Sequence, residues 1–149
     1  MIATTDKTQA VVKDLIIINN DRCEGYKTAA QETKDADLKS LFTRFSTQSN
    51  QFNTELKRFM SADEAPKEGE TKNSGKLYRA WMDIKAAVTA NDRKGILNSC
   101  EFGEDVALHT YKDALEEHDI PEEIRITVRK QKNELQEAHN SVKSLRDRS

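Results

Sequence analysis

The sequence predicts an all-α fold, a bundle of four long helices with a fifth, shorter one, and two observations support it. Apolar residues recur at alternating spacings of three and four along most of the chain, the period of helices that each bury one face. Only 5 Gly and 2 Pro occur in 149 residues, too few for the many tight turns of an all-β sandwich or barrel. The length suits one core, so we expect a single domain over 1–149.

Charge and hydropathy exclude several classes of function. The chain has 24 basic and 26 acidic residues, a net charge of −2, which gives no electrostatic basis for binding nucleic acid. No segment approaches the ~20 apolar residues of a membrane span, and the first residues lack the basic and apolar regions of a signal peptide. Two cysteines do not make a disulfide framework. We therefore expect a cytoplasmic protein with free thiols.

The first two helices are predicted over 5–34 and from the N-cap Asp35 or Asp37 to about residue 62. The second has the clearest apolar stripe in the chain, and Gln48 is the one polar residue that interrupts it. Residues 62–66 are expected to end this helix, because proline disfavours helix in the residue before it. The stripes are Val12, Leu15, Ile18 or Asn19, Arg22, Tyr26 and Ala29, then Leu38, Leu41, Phe45, Gln48, Phe52, Glu55 or Leu56, and Phe59.

A polar segment over 61–76 is the one long loop that the sequence predicts. A short amphipathic helix follows it and ends near Asn91. The apolar residues of this helix are Leu77, Trp81, Ile84 and Val88. The loop and the short helix together are long enough to run the length of a bundle.

The last two long helices are predicted over 92–118, with Asp92 as the N-cap, and from Pro121 onward. Proline suits a first helical turn, because the backbone hydrogen that it lacks has no partner there. The stripes are Leu97, Cys100, Glu104, Ala107 or Leu108, Tyr111 and Leu115, then Ile124, Val128, Gln131, Leu135, Ala138, Val142 and Leu145.

The lengths of the connections predict how the helices are arranged. Short links at 34–37 and 119–121 join the long helices in pairs and force antiparallel neighbours. Two antiparallel hairpins, linked by one long crossover that contains the short helix, form the plan of a ferritin-like four-helix bundle. An up-down-up-down bundle is the alternative, and it would leave the short helix packed on the outside.

Polar residues lie on or beside the stripes near the middle of all four long helices. In di-iron bundles such residues supply one Glu from each of two helices and a Glu-x-x-His from each of the other two. No Glu-x-x-His occurs here, and glutamine replaces carboxylates in the nearest segments, 48–51 and 136–139. A di-iron centre is therefore disfavoured. A site for one Fe, Mn or Zn ion remains the alternative, and its candidate ligands are Glu24, Glu101 or Glu104, and His139.

A structural role is the interpretation that we favour for the central polar residues. Arg22 and Glu104 occupy stripe positions and are expected to pair across the core. Arg22 then supplies positive charge where a metal ion would otherwise sit. The other members of this polar core are Gln48, Gln51 and Gln131. Buried polar groups of this kind can fix the register and topology of a bundle.

Five segments stand out together: 19–30 (NNDRCEGYKTAA), 79–85 (RAWMDIK), 100–105 (CEFGED), 137–139 (EAH) and 145–147 (LRD). In this order they resemble an uncharacterised bacterial family of ferritin-like four-helix-bundle proteins of about this length, a domain of unknown function. The resemblance implies the ferritin-like architecture and no assigned activity. It would place ferritin-type ligands at Glu24, at Gln48 and Gln51, at Glu101 or Glu104, and at His139. The glutamines depart from that pattern.

Two functions are compatible with these observations. The first is a non-catalytic cytoplasmic bundle without a cofactor. It acts by protein association, either with another protein or as a homodimer. Analogy with ferritin-like proteins adds a role in stress responses. The second is a metal-binding protein or oxidoreductase with a degenerate carboxylate–histidine site. The sequence has the pattern of a helical bundle and contains no complete catalytic motif, which favours the first function.

Overall fold

The computed structural model describes residues 6–61, 65–66 and 76–149, without the side chains of 76–78. Its five helices are α1 (Asp6–Glu32), α2 (Ala36–Lys57), α3 (Lys76–Thr89), α4 (Arg93–Glu116) and α5 (Glu122–Asp147). The predicted all-α bundle is confirmed. Most of the predicted loop over 61–76 and the side chain of Leu77 lie outside the described residues. None of the five helices combines the length and the apolar character that crossing a membrane requires.

Local interactions explain where the helices begin and end. α4 begins as predicted, with Asp92 Oδ1 accepting a hydrogen bond from the Gly95 backbone N–H at 3.0 Å. α5 begins one residue later than predicted, because Pro121 is extended, with ψ of 143°, and lies at the N-cap instead of in the first turn. α2 ends earlier than predicted, because the chain tightens into i→i+3 turns in which the Phe59 N–H donates to the Leu56 carbonyl.

Ion pairs at the two ends of the bundle define its topology. Arg93 at the start of α4 pairs with Asp35 and Asp37 at the start of α2, with N–O distances of 3.2 and 2.6 Å. α2 and α4 are therefore parallel, which excludes the up-down-up-down alternative. At the opposite end Lys7 Nζ lies 2.8 Å from Glu117 Oε2, after the last turn of α4. The order is up-down-down-up, and we call the two ends the Arg93 end and the Lys7 end.

The buried side chains form two apolar clusters with polar residues between them. The cluster toward the Arg93 end includes Tyr26, Leu38, Phe42, Ile84, Leu97 and Val142. The cluster toward the Lys7 end includes Val12, Leu15, Phe52, Tyr111, Ile124 and Leu135. Seven of the buried polar residues form what we call the polar layer between the clusters: Asn19, Asn20, Arg22, Ser49, Asn53, Glu104 and Gln131. The polar layer therefore crosses the bundle near its middle.

α3 packs across α1 and α4 and adds to the apolar cluster at the Arg93 end. Its Ile84 is buried, and the half-buried ring of Trp81 stands edge-on to Tyr26 with 4.7 Å between ring centroids. Gly25 permits this approach, because a Cβ atom there would lie 2.1 Å from Trp81 Cδ2. Among the described residues, five helices therefore pack together at the Arg93 end and four at the Lys7 end.

Candidate functional site

An ion pair between Arg22 and Glu104 lies at the centre of the polar layer. Arg22 Nε donates to Glu104 Oε1 at 3.0 Å, and the two side chains are 1% and 0% exposed. The structure thus brings together the two charged residues that the stripes placed opposite each other. Because each charge is neutralised by the other, neither is left alone in the core.

Groups from α1 and α2 hold this ion pair in place. The Tyr26 hydroxyl donates to Glu104 Oε1 at 2.5 Å, and Arg22 Nη1 donates to Ser49 Oγ at 2.7 Å. The guanidinium carbon lies 5.3 Å from the centre of the Tyr26 ring and 5.2 Å from that of Phe45, within range of a cation–π interaction. The guanidinium is therefore both hydrogen-bonded and enclosed by aromatic rings.

A second chain of hydrogen bonds crosses the bundle toward α5. Asn19 Nδ2 donates to Tyr111 Oη at 2.7 Å, and the Tyr111 hydroxyl donates to Gln131 Oε1 at 2.6 Å. Gln131 Nε2 donates in turn to the Phe52 carbonyl at 3.1 Å and to Glu55 Oε1 at 3.0 Å. Gln131 is fully buried, as its stripe position predicts, and its amide connects α5 to both α4 and α2.

α2 faces the ion pair with a smaller side chain than the sequence predicts. After Phe45 the next inward residue is Ser49, so Gln48 is half-buried and Gln51 is exposed. Neither glutamine belongs to the polar layer, which corrects the predicted polar core. The reason is that the stripe takes a four-residue step after Phe45, where a three-residue step was expected.

The buried hydroxyl and thiol groups near the ion pair are held in their neutral forms. Burial raises the pKa of Tyr26, and the Glu104 carboxylate raises it further. Burial likewise raises the pKa of Tyr111 and of the Cys100 thiol. A catalytic base or nucleophile works best with a pKa near the working pH. The arrangement therefore suits hydrogen bonding within the core.

We expect Tyr26 and Tyr111 to stay protonated in the folded protein above pH 10, the ordinary pKa of tyrosine. Because folding raises both pKa values, the stability linked to these groups is complete below pH 10 and is lost as the pH rises further. The absorbance of tyrosinate, measured as a function of pH, tests this. In a Tyr26→Phe/Tyr111→Phe variant, any absorbance increase of the folded protein near pH 10 should be unchanged. The increase that accompanies alkaline unfolding should be smaller than in the wild type. A folded-state increase that shrinks in the variant would contradict this.

The structure does not bring together the four residues predicted as metal ligands. Glu104 is bound to Arg22 in the core. Glu24 is exposed, because it follows Arg22 by two residues and so points about 200° away around the helix. Glu101 and His139 do meet, at the surface between α4 and α5, with Glu101 Oε1 and His139 Nε2 4.0 Å apart.

Asp105, which sequence reasoning did not select, joins Glu101 and His139. His139 Nε2 lies 2.8 Å from Asp105 Oδ1, and one ligand atom from each of the three residues lies within 4.8 Å of the others. Arg146 Nη1 contacts the second oxygen of Glu101, Oε2. The available signal was the four-residue spacing of Glu101 and Asp105, which puts both on one face of a helix.

Two surface grooves flank α3, one of about 280 Å³ against α1 and one of about 590 Å³ against α4. Met82 lines the first and Phe102 the second, and their side chains are 49% and 50% exposed. Charged side chains of both signs line the grooves: Glu24, Glu32, Lys85, Arg79, Asp83, Asp105 and His109. We call this surface, with Met82 and Phe102, the α3 face.

A protein-family model described as Domain of unknown function (DUF2383) matches residues 7–117. The matched segment contains both members of the buried ion pair and ends before α5. No curated protein matches the sequence. The description of the family names no activity.

Proposed function

Because the chain belongs to the DUF2383 family, we propose its function from the structure: a non-catalytic helical bundle that acts by protein association through the α3 face. The observation that carries the proposal is the exposure of Met82 and Phe102 in grooves on either side of α3. Large apolar side chains grouped on a surface and rimmed by polar residues are typical of interaction sites. The first partner that we propose is a second copy of the chain.

The centre of the bundle supports a non-catalytic role. Ferritin-like di-metal bundles place carboxylate and imidazole ligands of facing helices at this level. Here the guanidinium of Arg22 takes that position beside Glu104, and a metal ion bound next to it would be repelled. We therefore propose a ferritin-like bundle in which a buried ion pair replaces the metal centre, and the up-down-down-up connectivity supports this.

The charges of the α3 face suit a second copy. Arg79 and Lys85 are basic, and Asp83 and Glu24 are acidic. In a two-fold symmetric dimer the same patch lies on both subunits, so basic side chains of one copy can face acidic side chains of the other. A polar rim around apolar residues is also the usual anatomy of a protein interface.

Sedimentation velocity over a concentration series tests this proposal. We expect a reversible monomer–dimer equilibrium, which Met82→Glu/Phe102→Glu shifts to the monomer by placing charge in the interface. Ile126→Glu is the matched control, because Ile126 is 57% exposed but lies on α5, and this variant should dimerise like the wild type. A chain that is monomeric throughout, or a dimer that the double variant leaves intact, would contradict association through this face.

A further inference from the structure

We propose that Glu101, Asp105 and His139 bind a divalent first-row transition-metal ion at the surface between α4 and α5. The inference does not rest on the proposed association. The side chains of His139 and Glu101 are 14% and 20% exposed, and that of Asp105 is 57% exposed. Two of the three ligands are therefore held by packing, while solvent can still deliver an ion.

The separations of the ligand atoms suit one ion. Metal–ligand bonds of about 2.0–2.2 Å put two ligand atoms of the same ion about 3–3.5 Å apart. His139 Nε2 lies 2.8 Å from Asp105 Oδ1 and 4.0 Å from Glu101 Oε1, values on either side of that range. All three ligand atoms lie within 4.8 Å of one another. Bringing them to bonding distance requires side-chain rotations, and Asp105, the most exposed of the three, has the most room to make them.

The facing atoms need a hydrogen atom or a metal ion between them. His139 Nε2 faces carboxylate oxygens of Asp105 and Glu101, and a ring nitrogen with a free lone pair would repel both. A proton or a metal ion at Nε2 removes this repulsion. The other ring nitrogen, Nδ1, lies 3.4 Å from Asn140 Oδ1. A proton on Nδ1, directed at Asn140, leaves the Nε2 lone pair to the metal, as in other histidine ligands.

Arg146 orients the Glu101 carboxylate. Its Nη1 contacts Glu101 Oε2, which leaves Oε1 on the side of His139. Contacts of this kind commonly position metal-binding carboxylates. Two carboxylates and one guanidinium leave a net charge of −1 around a neutral imidazole, so the site still attracts a cation.

The ligand types select the class of ion. An imidazole nitrogen favours Zn²⁺, Fe²⁺ and their neighbours over Mg²⁺ and Ca²⁺, which prefer oxygen ligands throughout. Three protein ligands leave a coordination position for water, as in open zinc sites. Zn²⁺ and the coloured Co²⁺ ion are therefore suitable probes.

Isothermal titration calorimetry of the metal-free protein with Zn²⁺ tests the proposal. We expect one Zn²⁺ per chain, no heat of binding with Mg²⁺, and visible absorption bands when Co²⁺ is added. His139→Gln and Asp105→Asn each remove one ligand at the surface, and each should weaken Zn²⁺ binding by at least about tenfold. Circular dichroism establishes that both variants remain folded.

His109 and Asp113 provide the matched control. They form a second His–Asp pair on α4, with Nε2 and Oδ2 3.5 Å apart, but no third ligand joins them among the described residues. His109→Gln/Asp113→Asn should bind Zn²⁺ as the wild type does. The proposal is overturned if the wild type binds no Zn²⁺, or if His139→Gln and Asp105→Asn bind it with unchanged affinity.

Discussion

Arg22→Ala is expected to lower the free energy of unfolding by about 3–5 kcal/mol, and Glu104→Ala by a similar amount. Either substitution leaves one charge in the core without its counter-ion, where the two side chains are 1% and 0% exposed. Glu104→Ala also removes the acceptor of the Tyr26 hydroxyl. Urea denaturation followed by circular dichroism measures the loss.

Two further variants separate the effect of charge from that of packing. Arg22→Met/Glu104→Leu removes both charges and keeps much of the volume, so we expect a smaller loss than in either single variant. The loss that remains comes from the Tyr26 and Ser49 hydroxyls, which no longer have Glu104 and Arg22 as partners. Arg93→Ala breaks an ion pair whose arginine is 34% exposed, and we expect a much smaller loss because solvent screens that pair. Wild-type stability of Arg22→Ala would show that the buried ion pair does not hold the core together.

Gly25→Ala is expected to displace Trp81 and to lower the free energy of unfolding by about 1–3 kcal/mol. A Cβ atom at this position would lie 2.1–2.5 Å from three carbons of the indole, far inside van der Waals contact, and the rigid ring cannot bend away. Trp81 is the single tryptophan of the chain, so fluorescence reports the change directly. We expect emission at longer wavelength as the ring moves from its packed position into water.

The same substitution in a Trp81→Leu variant separates the steric clash with the indole from the other effects of alanine. By helix propensity alone, alanine in place of a mid-helix glycine is favourable by about 1 kcal/mol. In a Trp81→Leu background the smaller side chain leaves room for the added methyl group, so Gly25→Ala should be close to neutral or stabilising there. An equal loss of stability in both backgrounds would place the cause within α1 instead of in its contact with Trp81.

The helices were predictable because each long helix carries its own apolar stripe, and the short links between them allow only antiparallel neighbours. The length of the crossover permits a parallel arrangement of α2 and α4, but it left the up-down-up-down alternative open, and the ion pairs of Arg93 with Asp35 and Asp37 decide between the two. The end of α2 was not predictable from its stripe. Phe59 keeps the apolar spacing, while the backbone there has already changed to i→i+3 hydrogen bonds.

The candidate sites were predictable only where the stripe position of each residue on its own helix shows that the residue faces the core. Arg22 and Glu104 stand on stripes and carry opposite charges, so their pairing could be expected from the sequence. Ser49 could not be chosen over Gln48, because packing against α1 decides whether the step after Phe45 is three or four residues. Asp105 contacts His139 because of the position of α5 along α4. The sequence pattern of neither helix specifies that position by itself.

The polar layer has a consequence for the cooperativity of unfolding. It separates two apolar clusters, one around Tyr26 and Phe42 and the other around Leu15 and Leu135. In many small domains a single continuous core makes unfolding an all-or-none event. Here the two ends are coupled by the long helices and by the hydrogen bonds of the polar layer. If the polar layer is weakened, each end of the bundle becomes a separate unit of unfolding.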